Sequence, residues 1–71
     1  KEFELLRYLA SQPDIPVTRD ELLDRVWGYN SYPTTRTVDN FIARLRQKVE
    51  ATPDRPQHLI TIHGVGYKFV S

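Results

Sequence analysis

The tail LITIHGVGYKFVS, residues 59–71, decides how the rest of the chain is read. β-Branched and aromatic residues stand on both sides of a glycine-containing turn, and Ile60 and Ile62 alternate with Thr61 and His63, the period of a strand and the punctuation of a hairpin. Gly64 and Gly66, one residue apart, raise a rival reading, a cradle for a phosphate-bearing ligand. Such a cradle needs its glycines after a strand and at the head of a helix, so that backbone amides and the helix N-terminus converge on the anion. Here Tyr67, Lys68, Phe69 and Val70 follow instead, a second strand. Both glycines are therefore assigned to a tight hairpin tip, where they supply positive φ angles and small size.

Upstream of the hairpin the apolar residues change period. Residues 2–11 place Phe3, Leu5, Leu6, Leu9 and Ala10 on one side of a helical wheel, and Pro13 marks the stop. A second helix starts at Thr18-Arg-Asp-Glu21, the spacing of a capping box, with Val17 and Leu22 as a hydrophobic staple. Leu22, Leu23, Val26 and Trp27 form its apolar face, and Gly28 stands where a left-handed C-terminal residue is wanted. The third helix is expected at about Thr35–Ala51, with Val38, Phe41, Ile42, Leu45 and Val49 at steps of three and four. Pro53 and Pro56 then break it. Three helices followed by a hairpin at 59–70 give a mainly α fold with a small β-hairpin, a winged helix-turn-helix, as one domain over residues 1–71.

Several function classes are excluded by totals. At 71 residues a large enclosed active site is out of reach, and with no cysteine there is neither a disulfide framework nor a thiolate metal site. His58 and His63 have no acidic pair beside them, so no metal site, cofactor or catalytic residue is assigned, and the chain is not read as an enzyme. No apolar run approaches the roughly 20 residues of a membrane span, so the expectation is a cytoplasmic protein without membrane contact. The net charge of +1 hides an asymmetry: residues 1–35 carry four basic and six acidic groups, residues 36–71 six basic and three acidic. The second half is the half suited to an anion.

That half contains the third helix. With Val38 at the centre of the buried face and about 100° per residue, Arg36, Asn40, Ala43, Arg44 and Gln47 fall on the opposite side and Arg46 and Lys48 on its flanks. Arginine pairs with guanine edges or phosphates, asparagine and glutamine read adenine edges, and Ala43 lets the helix sit close to the bases. Arg44, with Asn40 and Gln47 a turn to either side, is the leading candidate for base readout. Asp39 is assigned to orient Arg36 or Arg46, or to help the helix start. The alternative is a winged helix used for protein contact without reading DNA, for which a more apolar outer face is expected.

The segments LLDRVWG, RTVDNFIARLRQKVE and ITIHGVGYKF, in this order and spacing, resemble successive blocks of the OmpR/PhoB-type winged-helix DNA-binding domain, the output module of bacterial two-component response regulators. The resemblance covers essentially the whole chain. It implies a sequence-specific binder of double-stranded DNA for transcription regulation, the third helix in the major groove and the wing at the minor groove, at the end of a phosphorelay. With the face reading it gives Arg44, Asn40, Gln47, Thr61 and His63 as base contacts. Trp27, Arg36, Thr37, Arg46, Lys48, Tyr67 and Lys68 are the corresponding phosphate contacts. The loop 28–35, with Tyr29, Asn30, Ser31 and Tyr32, matches the segment that contacts RNA polymerase in the family. Pairing on repeated half-sites and a phosphate-receiving domain in a longer protein are further implications. The family's N-terminal antiparallel sheet has no counterpart in these residues, which leaves part of the apolar face of the first helix without its usual cover. At the wing, His63 stands where relatives often carry arginine, so minor-groove binding is expected to be weaker at neutral pH.

Overall fold

A computed structural model describes residues 1–28 and 34–71. Helix α1 (Glu2–Ala10) is followed by a short strand β1 (Val17–Thr18), helix α2 (Arg19–Leu22) continuing into a π-helical turn (Leu23–Trp27), helix α3 (Thr35–Val49) and strands β2 (Leu59–Ile62) and β3 (Gly66–Phe69). The three strands form one antiparallel sheet in the order β1-β3-β2. The expected hairpin is there, and β1 extends it to a third strand made of two residues that sequence reading had taken only as a helix's staple and cap.

The core explains why these elements hold together. Leu5 and Leu9 of α1, Leu22 and Val26 of the second helical segment, Val38, Ile42 and Leu45 of α3, Val17 of β1, Leu59 of β2 and Tyr67 of β3 form one buried cluster. Each fully buried leucine or isoleucine contributes about 1.5–3 kcal/mol. Phe41, Leu6, Leu23, Trp27 and Phe69 pack around it half-buried. Three expected core positions fall outside: Phe3 is 73% exposed and Val49 39%, and Ala10 is exposed too. Leu6, Ala10, Val49 and Phe69 instead border an open, largely apolar groove beside α1.

The helix ends follow local chemistry. Thr18 Oγ1 accepts the Glu21 N–H at 3.0 Å, one half of the capping box. The Glu21 carboxylate does not reach back but accepts the Tyr8 hydroxyl at 2.5 Å, tying α2 to α1. Gly28 N–H donates to Leu23 O, five residues back, which closes the π-turn. Gly28 has the expected positive φ of 86°, but with ψ of 173° it leaves the helix extended rather than left-handed. Helix α3 stops two residues earlier than expected because Glu50 turns to φ −94° and ψ 138°.

The hairpin corrects one reading. Val65 N–H donates to Ile62 O at 2.9 Å, and Gly64, third in that four-residue turn, has φ of +77°, as a type II turn requires. Gly66 does not share this role. It pairs with Thr18 of β1, and a Cβ placed there would lie 2.0 Å from the Val17 carbonyl oxygen. One glycine turns the chain; the other lets a neighbouring strand pass.

Candidate nucleic-acid interface

The outer face expected of α3 is the face observed. Arg36, Asn40, Ala43, Arg44 and Gln47 are all exposed, opposite buried Val38, Ile42 and Leu45. The Arg44 side chain is 63% exposed, and its guanidinium carbon lies 5.1 Å from the centre of the Phe41 ring, which itself meets Trp27 edge-on at 5.2 Å. Stacking on a fixed ring limits the orientations the guanidinium samples before it meets a partner. Thr37 is half-buried in the first turn, where its N–H donates to Thr34 O. Trp27 is half-buried beneath the helix.

The wing lies along α3. Thr35 at the start of the helix borders the same cleft as Gly64 and Val65 at the tip, while Arg46 near the far end is bonded to the start of β2. Thr61 and His63 are exposed on β2 and at the turn, and Lys68 is half-buried on β3. Tyr67, expected as a phosphate contact, faces inward instead. It is only 7% exposed, and its hydroxyl donates to Asp39 Oδ1 at 2.6 Å. Burial first, then the bond to Asp39 and that residue's charge, push the phenol up to about 12.

Asp39 also corrects its expected role. It takes the Arg19 guanidinium on Oδ2 at 3.0 Å and orients neither Arg36 nor Arg46, so one carboxylate joins α2, α3 and β3. Its negative charge is matched by Arg19, which removes an obstacle to placing phosphate nearby. Arg46, expected as a phosphate contact, spends most of its donors internally. Nε and Nη2 donate to Leu59 O at 3.1 and 2.8 Å, and Nη2 also donates to Thr61 Oγ1 at 2.8 Å. Only Nη1 is left without a partner among the described residues. Lys48 bonds the Glu2 carboxylate, with Arg44 Nη1 4.0 Å away on its other oxygen. That bond to Lys48, against some opposing desolvation, holds the Glu2 carboxyl below its usual range. Tyr29, Asn30, Ser31 and Tyr32 lie outside the described residues.

Glu50 is the residue that sequence reading missed. Buried at 7% exposure, it accepts Gln57 N–H on Oε1 at 2.9 Å and His58 and Leu59 N–H on Oε2 at 3.0 and 2.8 Å. Burial works to raise its pKa; the Leu59, Gln57 and His58 amides outweigh it and hold the carboxyl below the ordinary value. Its signal was its address: a carboxylate at a helix C-terminus opposes the dipole and needs another reason to be there. Among the described residues no cluster of histidines and carboxylates is gathered to hold a metal, and no helix is long and apolar enough to cross a membrane.

This arrangement matches known proteins along its length. Residues 1–69 fit the family described as transcriptional regulatory protein, C terminal. The chain is 48% identical to the sensory transduction protein RegX3 of Mycobacterium leprae over 71 residues, all of this chain and 36% of that protein. It therefore spans about a third of the length of that relative. Among solved structures, the response regulator DrrB of Thermotoga maritima, an OmpR/PhoB homologue, superposes with a TM-score of 0.89 at 40% identity, over 99% of this chain and 31% of that one. The DNA-binding domain of Klebsiella pneumoniae RstA, solved in complex with the RstA box, gives 0.84 at 32% identity, over 97% of this chain and 68% of that one. With its exposed polar face on α3, its wing and this match over nearly every residue, the chain belongs to the family of OmpR/PhoB-type C-terminal DNA-binding domains of transcriptional regulators, a winged-helix fold that binds DNA and is not an enzyme.

Proposed function

We propose that the chain reads double-stranded DNA sequence-specifically, with α3 in the major groove and the wing tip at the adjacent minor groove. The observation that carries this is the exposed stripe of Arg36, Asn40, Ala43, Arg44 and Gln47 on a helix whose other faces are occupied by the core and the sheet. Arg44, Asn40 and Gln47 supply base-edge contacts, with Thr61 and His63 added from the wing. Arg36, Thr37, Lys48, Lys68 and the unused Nη1 edge of Arg46 supply phosphate contacts, and Trp27 backs the helix. Tyr67 serves from inside, through Asp39. The polar outer face disfavours a module used only for protein contact.

Four to six phosphate contacts give a log–log salt slope of about −4 to −5. Pairing of two copies on repeated half-sites raises affinity through effective concentration. The proposal extends to a longer response regulator, in which a receiver domain governs that pairing and the loop 28–35 meets RNA polymerase. The test is a titration, at several salt concentrations, of the duplex that the chain enriches from a randomised library and of a scrambled duplex. Arg44→Ala is expected to lose about 1–3 kcal/mol on the enriched duplex and little on the scrambled one. Arg36→Ala is expected to weaken both alike and to reduce the salt slope by about 1. Absence of salt-dependent binding to any duplex refutes the proposal.

A further inference from the structure

Arg46 in the last turn of α3 and Glu50, the residue that ends the helix, hold the same residue of β2 from its two polar sides. Arg46 donates two bonds to the Leu59 carbonyl, and Glu50 accepts the Leu59 N–H. Arg46 then reaches two residues on, to Thr61 Oγ1, while Glu50 gathers the N–H groups of Gln57 and His58 just before the strand. Leu59 is itself fully buried, so the entrance to the wing is fixed by its side chain and by both backbone groups.

The geometry points to Arg46 and Glu50 as positioning residues for DNA recognition: together they set the angle between α3 and the wing, and so whether helix and wing tip reach their two grooves at once. This rests on the DNA-binding reading above and deepens it. From Leu59 to Gly64 at the turn the chain advances five residues, at most about 16 Å at 3.3 Å per residue, so a swing of about 10° at the root of β2 moves the tip by up to about 3 Å. That is the length of a hydrogen bond, enough to empty a wing contact while leaving the helix contacts in place. Arg46 has a second consequence: its Nη1 has no hydrogen-bond partner among the described residues, so a phosphate that meets it engages a group already bonded to the wing.

Glu50→Gln keeps the shape but replaces one acceptor oxygen by an NH2 that faces an N–H donor. Arg46→Lys keeps the charge but cannot fork; it serves as the second variant should Glu50→Gln fail to fold. Each variant is bound to the duplex that the parent chain enriches from a randomised library. The major groove is read by protection of guanine N7 from methylation, the minor groove by protection from hydroxyl radicals. Affinity is expected to fall about tenfold, the worth of one charge-assisted contact, with minor-groove protection under the wing lost and guanine protection under α3 kept. A merely structural role moves both protections together. Unchanged footprints, or proportional loss of both from a variant that melts like the parent, overturns the inference. A parent chain that binds no duplex overturns the DNA reading itself, a separate result seen before any variant is made.

Discussion

Gly66→Ala tests whether the passage of β1 is what demands glycine at that position. A Cβ on residue 66 lies 2.0 Å from Val17 O and 3.0 Å from Thr18 Cα. To bring the first of these to even 3.0 Å, β1 and β3 must part by about 1 Å, and the obstacle is backbone, which cannot rotate aside as a side chain does. The pairing at stake is small, Val17 with Tyr67 and Thr18 with Gly66, but Val17 is 2% exposed. Losing its burial costs about 1.5–3 kcal/mol, and each ladder hydrogen bond adds about 1. A loss of about 3 kcal/mol is expected, which for a domain of this size lowers the melting temperature by about 12–24 °C.

Gly64→Ala is the internal control. Nothing lies within 4 Å of a Cβ at residue 64, and only its φ of +77° resists a side chain. That strain costs about 1 kcal/mol, or about 4–8 °C. Thermal melts followed by circular dichroism, at one pH and one protein concentration, compare the two. Equal melting temperatures, or a smaller loss for Gly66→Ala, refute the argument that the neighbouring strand excludes a side chain there.

Two further outcomes follow from the ionised groups. The Glu50 pKa is depressed in the folded state, so its contribution to stability is complete above the ordinary carboxylate value of 4.5 and is lost as pH falls through the lowered one; denaturant melts across that window should show a steeper acid loss for the parent than for Glu50→Gln, and parallel curves refute the assignment. Glu2 occupies Lys48 and approaches Arg44, two groups assigned to DNA; Glu2→Gln is expected to tighten binding a few-fold at low salt and to lose that advantage at high salt, and equal affinities at low salt show that the carboxylate does not compete.

The helices and the hairpin were legible because each carries a local signal. The three-and-four spacing of Val38, Ile42 and Leu45, the threonine cap at residue 18 and the alternation in β2 need no knowledge of distant residues. What was not legible depends on long-range approach. Gly66 looks like its neighbour Gly64, and only the arrival of Val17, 49 positions away in sequence, separates their roles. Phe3 fits the apolar wheel of α1 yet is exposed, because periodicity says which side a residue occupies and not what covers it. Tyr67 was given to phosphate by the family resemblance, and no local pattern announces that Asp39 will take its hydroxyl.

The charged residues of α3 show the same limit and its consequence for recognition. Asp39 and Arg46, seven positions apart, share one stripe of the helix, and Glu50, four further on, is the residue at which the helix ends. That stripe faces the sheet, where each of the three bonds a residue of the strands. A helical wheel sets this fastening stripe on the flank of the outward one that carries Arg36, Arg44 and Gln47, but it does not say what a flanking residue bonds. On the reading proposed above, substitutions on the outward stripe are expected to remove contacts and to change the sequence preference or the salt slope, whereas those on the fastening stripe are expected to leave the contacts intact and to move the wing. A basic residue on a recognition helix therefore cannot be assigned to DNA by charge and periodicity alone; Arg46 is assigned by the direction of its guanidinium, three of whose bonds point back into its own fold.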